Sequence, residues 1–191
     1  MQITPDGAAY RRRLPHYRTP GAIYHCRFSL LPHIQAFAED WMFEIVEAEI
    51  LSHHKKTCLI YGYVVMPSHS HAVVQPLPGR FDPISWADYR QFQKLEIIIG
   101  KIKGASSRRI NRILGRSGSI WKDEAFDRSA RNDKDLRDMI EYVHFNPVRW
   151  GLFDSPEKYR WSSARTIYSG EEKYRGWFDL PMLPVEPKRD D

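Results

Sequence analysis

Two histidines separated by one residue, His69 and His71 in the stretch HSHAVVQ, are the first candidates for chemistry in this chain. In a β-strand, residues two apart point to the same face, so both imidazoles can bind one cation. Ser70 and Ala72 then point the other way. The same spacing also arises among histidines that only pack in a core or lie on a surface. A second pair, Tyr142 and Asn146, is spaced by four residues and shares one face of a helix. The amide oxygen of Asn146 can complete a three-ligand site while the phenol of Tyr142 turns to the same centre. The alternative is a Tyr142 packed in the core and an Asn146 that ends its helix ahead of Pro147. A phenol with a pKa near 10 is a weak nucleophile at neutral pH, so any reaction through Tyr142 needs help from its surroundings.

The elements that must carry these residues can be read from the pattern. Residues 22–31 (AIYHCRFSLL) are rich in strand formers and stop at Pro32. Ile34, Phe37, Trp41, Ile45, Ala48 and Leu51 recur at steps of three and four, which predicts an amphipathic helix over 34–54. Two strands follow, 58–66 and 69–75, joined by a tight connection at Pro67-Ser68 and expected to pair antiparallel. Residues 76–83 read as a loop and 85–114 as mostly helical, with an interruption expected near 100–107. A short strand is expected at 125–129. Asn132 reads as an N-cap, with Asp133 and Asp135 placed to complement the helix dipole. That helix is expected to end near Asn146, because Pro147 disfavours the α conformation in its predecessor. The order β-α-β-β-α-β-α is a split βαβ arrangement, an α+β fold with an antiparallel sheet covered by helices on one face. The other face is left for contacts with polyanions or bases.

At 191 residues, 42% hydrophobic and 28% charged, the chain suits one domain, 1–191. Within it we expect a basic N-terminal arm (1–20), a core (21–152) and an irregular C-terminal tail (153–191). A net charge of +5 favours a polyanionic partner, since Lys and Arg release counterions from phosphates. Six Trp and ten Tyr supply flat faces for unpaired bases or for ordinary packing. The only cysteines, Cys26 and Cys58, show no CxxC spacing and no apolar leader precedes them, which favours a reducing cytoplasm. No apolar run approaches the roughly 20 residues needed to span a bilayer.

Three segments together resemble a known family: YGYVVMPSHSHAVV (61–74), KGASSRRINRILGRSGSIWKDEAFDR (103–128) and IEYVHFNPVRWGLFDSPEKYRWSSA (140–164). In this order they resemble the MPxHxH strand end, the Lys-Gly-rich helix leading to Trp and Phe-Asp-x-x-x-Arg, and the Tyr-x-x-x-Asn-Pro-Val helix followed by Trp-Ser-Ser of the REP-associated tyrosine transposases. These belong to the single-tyrosine HUH superfamily, and the resemblance spans roughly residues 20–164. It implies a ferredoxin-like core with an additional C-terminal helix carrying the tyrosine. It further implies a bacterial, nucleoid-associated enzyme that cleaves single-stranded DNA beside repetitive extragenic palindromic hairpins, as a monomer or homodimer. On that basis His69, His71 and Asn146 correspond to ligands for Mg²⁺ or Mn²⁺, and Tyr142 to the nucleophile that forms a 5′-phosphotyrosine. Two imidazoles and an amide are softer than Mg²⁺ prefers, so Mn²⁺ is expected to bind better in vitro.

Phosphate binding is expected from Lys101, Lys103, Arg108, Arg109 and Arg112, with base stacking on Tyr61 or Tyr63 and a further contact from Arg160 and Trp161. Two departures from the family pattern stand out. Ser70 replaces a bulky apolar residue between the histidines, and Ala125 replaces an aromatic expected near the site. Competing readings are a non-catalytic hairpin DNA- or RNA-binding protein, since Tyr61-Gly62-Tyr63-Val64 is similar to an RRM aromatic strand, and a zinc protein using His69 and His71 with His25, Cys26 or Cys58. A relative that still binds hairpins but no longer transposes is a third.

Overall fold

The computed structural model describes residues 19, 21–78 and 92–168. The N-terminal arm expected at 1–20, most of the 76–83 loop, the start of the helix expected from 85 and the end of the tail lie outside the described residues. Four strands, β1 (Tyr24–Leu30), β2 (Cys58–Val65), β3 (His69–Pro76) and β4 (Trp121–Ser129), form one antiparallel sheet in the order β2-β3-β1-β4. Helix α1 (Asp40–Leu51) links β1 to β2, and α2 (Leu95–Leu114) links β3 to β4. The arrangement is the ferredoxin-like α+β fold, and α3 (Asp133–His144) is the additional helix after it.

The two faces of the sheet are told apart on β2. Tyr63 hydrogen-bonds through its hydroxyl to Glu47 of α1 (2.8 Å), so its side belongs to α1 and α2. The neighbouring Gly62 faces the other way, where an added Cβ would lie 3.3 Å from His144 and 3.5 Å from Ile140 of α3. Even an alanine here would push the His144 ring back by a few tenths of an ångström, so glycine suits the close approach of α3 to the strand. The second face is therefore not left bare: α3 covers its β2–β3 half. Tyr61 and Tyr63 are consequently buried, and neither offers a ring to a base. This removes the sequence basis for the RRM-like reading.

Several boundaries differ from expectation for identifiable reasons. Helix α1 starts at Asp40, six residues late, because the amide of Phe37 is taken by the Pro67 carbonyl (2.8 Å) and its ring packs on Phe43 and Trp121. Helix α2 runs unbroken through Gly100 and Gly104, since Ile98, Ile99, Ile102 and Ile110 bury one continuous side that outweighs the glycine cost of roughly 1 kcal/mol each. It stops at Gly115, whose left-handed φ of 62° only glycine adopts readily. Asn132 caps α3 as expected, its side chain accepting from the Asp135 amide at 2.9 Å.

The stretch expected to be a tail from residue 153 is folded as far as 168. The Val65 amide donates to the Trp161 carbonyl (2.8 Å), the Ser163 amide to the Tyr63 carbonyl (3.1 Å) and the Tyr159 hydroxyl to the Val65 carbonyl (2.7 Å). This strap covers the outer edge of β2 and ends in a short helix, α5 (Ala164–Tyr168). It escapes periodicity rules because hydroxyls and single bridges, not a repeating apolar face, hold it. Arg160 is occupied in the strap, paired with Asp40 and Glu44 and stacked on buried Trp161 at 4.4 Å.

Ser70 points into the α1–α2 side of the sheet, where its hydroxyl is fully buried without a hydrogen-bond partner. A buried orphan hydroxyl costs on the order of 1 kcal/mol or more. Ser70→Ala is therefore expected to stabilise the fold by about 1 kcal/mol in urea unfolding, and an equal loss would show that the hydroxyl is satisfied.

Candidate active site

The β1–β3 register places Arg27 opposite His71, Ser29 opposite His69 and His25 opposite Val73. Opposed residues share a face, so β1 contributes His25 and Arg27 to the same side as the two histidines. Both histidines are almost completely buried. Their rings stand edge to face with centroids 4.9 Å apart. Above them, α3 ends at His144, and after Phe145 the chain makes one more turn, α4 (Asn146–Arg149). Pro147 falls in the first turn of α4, where its missing N–H is not needed.

That extra turn lowers Asn146 between the histidines. Its Oδ1 lies 3.2 Å from Nε2 of His69, and its Nδ2 lies 3.3 Å from Nε2 of His71. The outer nitrogens are engaged elsewhere: Nδ1 of His69 with Ser68 Oγ (3.1 Å) and Nδ1 of His71 with Nε2 of His25 (2.8 Å). Tyr142 stands over the same centre, its ring edge-on to His71 and to His25 with centroids 5.6 Å from each. It keeps 42% of its surface exposed, so solvent or a strand can reach it.

Burial makes these imidazoles poor proton acceptors. His71 is pushed down to about 2, first by desolvation, then by the neighbouring His25 and His69 and by Arg27. His69 falls to about 4 by desolvation and Arg27, with Asn146 opposing, and His25 to about 4 by desolvation, Arg128 and Arg27. All three are neutral at pH 7, the form in which imidazole binds a metal.

The donor set fits a small divalent cation. Ligands sharing an ion at bonds of about 2.1 Å sit roughly 3 Å apart, which matches the separation of the Asn146 oxygen from Nε2 of His69. Hydrogen bonds to the outer ring nitrogens are what metal-bound histidines generally show. Among the described residues no three His, Cys, Asp or Glu side chains form a metal-holding group, and the polar side chain that lies against both histidines is the amide of Asn146. The zinc reading loses its extra ligands: Cys26 faces the α2 side, where it lines a cleft, Cys58 pairs with Pro76 at the far end of β3 and turns its thiol to the His53 carbonyl, and His25 is spent on His71.

Lys101, Lys103, Arg108, Arg109 and Arg112 are not brought to this site. Helix α2 packs on the opposite layer, where Lys103 donates to the Asp123 carbonyl (2.8 Å) and Arg109 pairs with Glu49 (2.8 Å). Ala125 is also on that layer. It lines a cleft of about 400 Å³ between α2 and β4, so its small size opens that cleft and does not touch the histidines. Among the described residues, cations at the site include Arg27, whose charge acts on all three histidines, Arg128, whose charge acts on His25, and Arg149, whose guanidinium lies 4.7 Å from the Tyr142 ring centre. Trp150, 57% exposed, tilts over His69 at 5.2 Å. Arg27 and His25 were legible as a second i, i+2 pair on the strand beside β3. Arg149 and Trp150 continue the helical spacing of Tyr142 and Asn146, hidden by the expectation that Pro147 ends the helix.

No protein-family model matches the chain. A Haemophilus influenzae protein with the provisional name REP-associated tyrosine transposase is 24% identical over 173 residues, 88% of this chain and 94% of its own length. The chain is thus similar, over most of its length, to a protein of that name. Its fold is also that of a REP-associated tyrosine transposase solved bound to a REP hairpin, with a TM-score of 0.56 and 19% identity over 96% of this chain and 93% of that one. A Deinococcus radiodurans structure, provisionally named a transposase, aligns over 73% of this chain and 95% of its own at 15% identity and a TM-score of 0.39. No helix among the described residues is long and apolar enough to cross a membrane.

Proposed function

We propose that the chain is a metal-dependent single-strand DNA endonuclease and strand transferase that acts beside DNA hairpins. The observation that carries this is the convergence of both histidine Nε2 atoms on the Asn146 amide with the Tyr142 ring over the same centre. In this reading His69, His71 and Asn146 hold Mg²⁺ or Mn²⁺, which supplies Lewis-acid polarisation of the scissile phosphate. The Tyr142 oxygen attacks phosphorus, a 5′-phosphotyrosyl bond forms, the bond to the 3′ oxygen breaks, and the 3′-hydroxyl leaves with a proton. Arg149 and Arg27 hold the phosphate against the site and offset its charge. Trp150 offers an open ring face to an unpaired base next to the cut. Hairpin DNA as the partner follows the relative solved on a REP hairpin.

The test is incubation with single-stranded hairpin oligonucleotides, with and without Mn²⁺, resolved on a denaturing gel. Cleavage with a protein-linked product that requires the ion is expected. Hairpin binding without any cleavage across many sequences would favour a relative that only binds.

Because α2 lies on the other layer, its cations are assigned to binding and those beside Tyr142 to chemistry. Arg108→Gln with Arg112→Gln is expected to lower the slope of log affinity against log salt by up to about two, leaving cleavage at saturating DNA unchanged. Arg27→Gln with Arg149→Gln is expected to slow cleavage at saturation. An unaltered slope in the first pair would take the DNA path off α2.

A further inference from the structure

His25 has no part in the reading above, yet it touches both halves of the site. Its Nε2 is 2.8 Å from Nδ1 of His71, and the two rings lie with centroids 5.0 Å apart and an interplanar angle of 21°. Its edge meets the Tyr142 ring at 5.6 Å, and Phe126 of β4 closes its outer side at 6.5 Å. A buried neutral imidazole carries one proton, and which nitrogen bears it depends on the partner of the other. If the proton of His71 sat on Nε2, that nitrogen would donate and could not bind a cation.

We propose that His25 is a positioning residue that accepts a hydrogen bond from Nδ1 of His71, holding the Nε2 lone pair of His71 towards Asn146. The inference rests on the metal site proposed above. The geometry favours it over simple packing: a ring placed only to fill space gains nothing from an in-line nitrogen contact at 2.8 Å to the outer nitrogen of another histidine. The strand pairing explains how it arises. His25 and Arg27 leave β1 on the face that His69 and His71 leave β3, and the His25–His71 contact bridges the two strands. The outer nitrogen of His69 is likewise engaged, by Ser68.

The experiment uses the full chain with isotope-labelled histidine, in NMR spectra that separate protonated from bare ring nitrogens, alongside Mn²⁺ titration of the DNA-free protein. In the metal-free wild type, His71 is expected to be protonated at Nδ1 and bare at Nε2. His25→Leu removes the acceptor and should shift the proton towards Nε2 and weaken Mn²⁺ binding by about 10- to 100-fold. His25→Gln keeps an acceptor oxygen and should retain the wild-type tautomer and most of the affinity. A wild-type His71 protonated at Nε2, or a His25→Leu protein with unchanged tautomer and affinity, would overturn the proposal. Should the Leu variant not fold, the wild-type and Gln spectra still decide it. A wild type that binds no Mn²⁺ defeats the metal site, while its tautomer still reports on His25.

Discussion

His69→Ala is expected to abolish metal-dependent DNA cleavage, a loss of about three orders of magnitude or roughly 4 kcal/mol of transition-state stabilisation. His69 contributes one of the three convergent donors, and its Nε2 faces the Asn146 oxygen at 3.2 Å. Its removal leaves His71 and an amide, too few protein ligands to hold an ion in place against water. The strand around it should persist: Ser70, Ala72 and Val74 bury the opposite side of β3, and β1 and β2 flank it. Unchanged circular dichroism with lost cleavage is therefore the expected pair of results. His71→Ala should behave alike, with Mn²⁺ affinity falling in both. Cleavage by His69→Ala at the wild-type rate and with the same ion dependence would remove the histidines from the chemistry.

Acid is expected to unfold the metal-free protein well above the pH at which carboxylates titrate. His25, His69 and His144 are depressed to about 4 and His71 to about 2, chiefly by desolvation, against an ordinary 6.5. The unfolded chain then binds more protons than the folded one between pH 6.5 and about 4. Stability is complete above the unfolded value and drains away as pH falls through that window. Each such group gives up about 2 kcal/mol between pH 7 and pH 5. Four together approach the whole stability of an ordinary domain, about 5–15 kcal/mol. Asp135 adds a loss of the same sign at lower pH, since its hydrogen bonds with Arg131 and the charge of Arg128 hold its carboxyl below the usual range. Urea unfolding at pH 7, 6 and 5 should show a steep fall in the midpoint, with Mn²⁺ opposing it. A flat profile across that range would mean that the imidazoles are not desolvated as described.

The sheet and the candidate ligands were legible because they obey short-range rules. His69 and His71 sit two apart on a strand, Tyr142 and Asn146 four apart on helical turns, and Asn132 before two aspartates marks a helix start. What escaped depends on contacts across the chain. Which layer α2 occupies cannot be read from its own charges, so the sequence did not show that the five basic residues expected to bind phosphate lie on the other side of the sheet from the histidines. His25 and Arg27 reach the site through the β1–β3 register, which needs the strand order. The strap at 159–163 has no period because hydroxyls and an edge pairing hold it. Pro147 was read as a stop, yet at the first turn of α4 it is permitted, and that turn carries Asn146 into place.

The central claim, that Tyr142 is the nucleophile of a DNA-cleaving site, is tested most directly by mass spectrometry of the covalent adduct formed with a hairpin oligonucleotide and Mn²⁺. Tyr142 is open to solvent beside His71, whereas Tyr159 is buried with its hydroxyl bonded to Val65 and Tyr168, also exposed, lies against His144 and not against the His69–His71 pair. The DNA-bearing peptide is expected to contain Tyr142. Tyr142→Phe, which deletes only the hydroxyl, should eliminate the adduct while hairpin affinity and Mn²⁺ binding stay at wild-type levels. An adduct mapped to another tyrosine, or undiminished in Tyr142→Phe, would contradict the assignment.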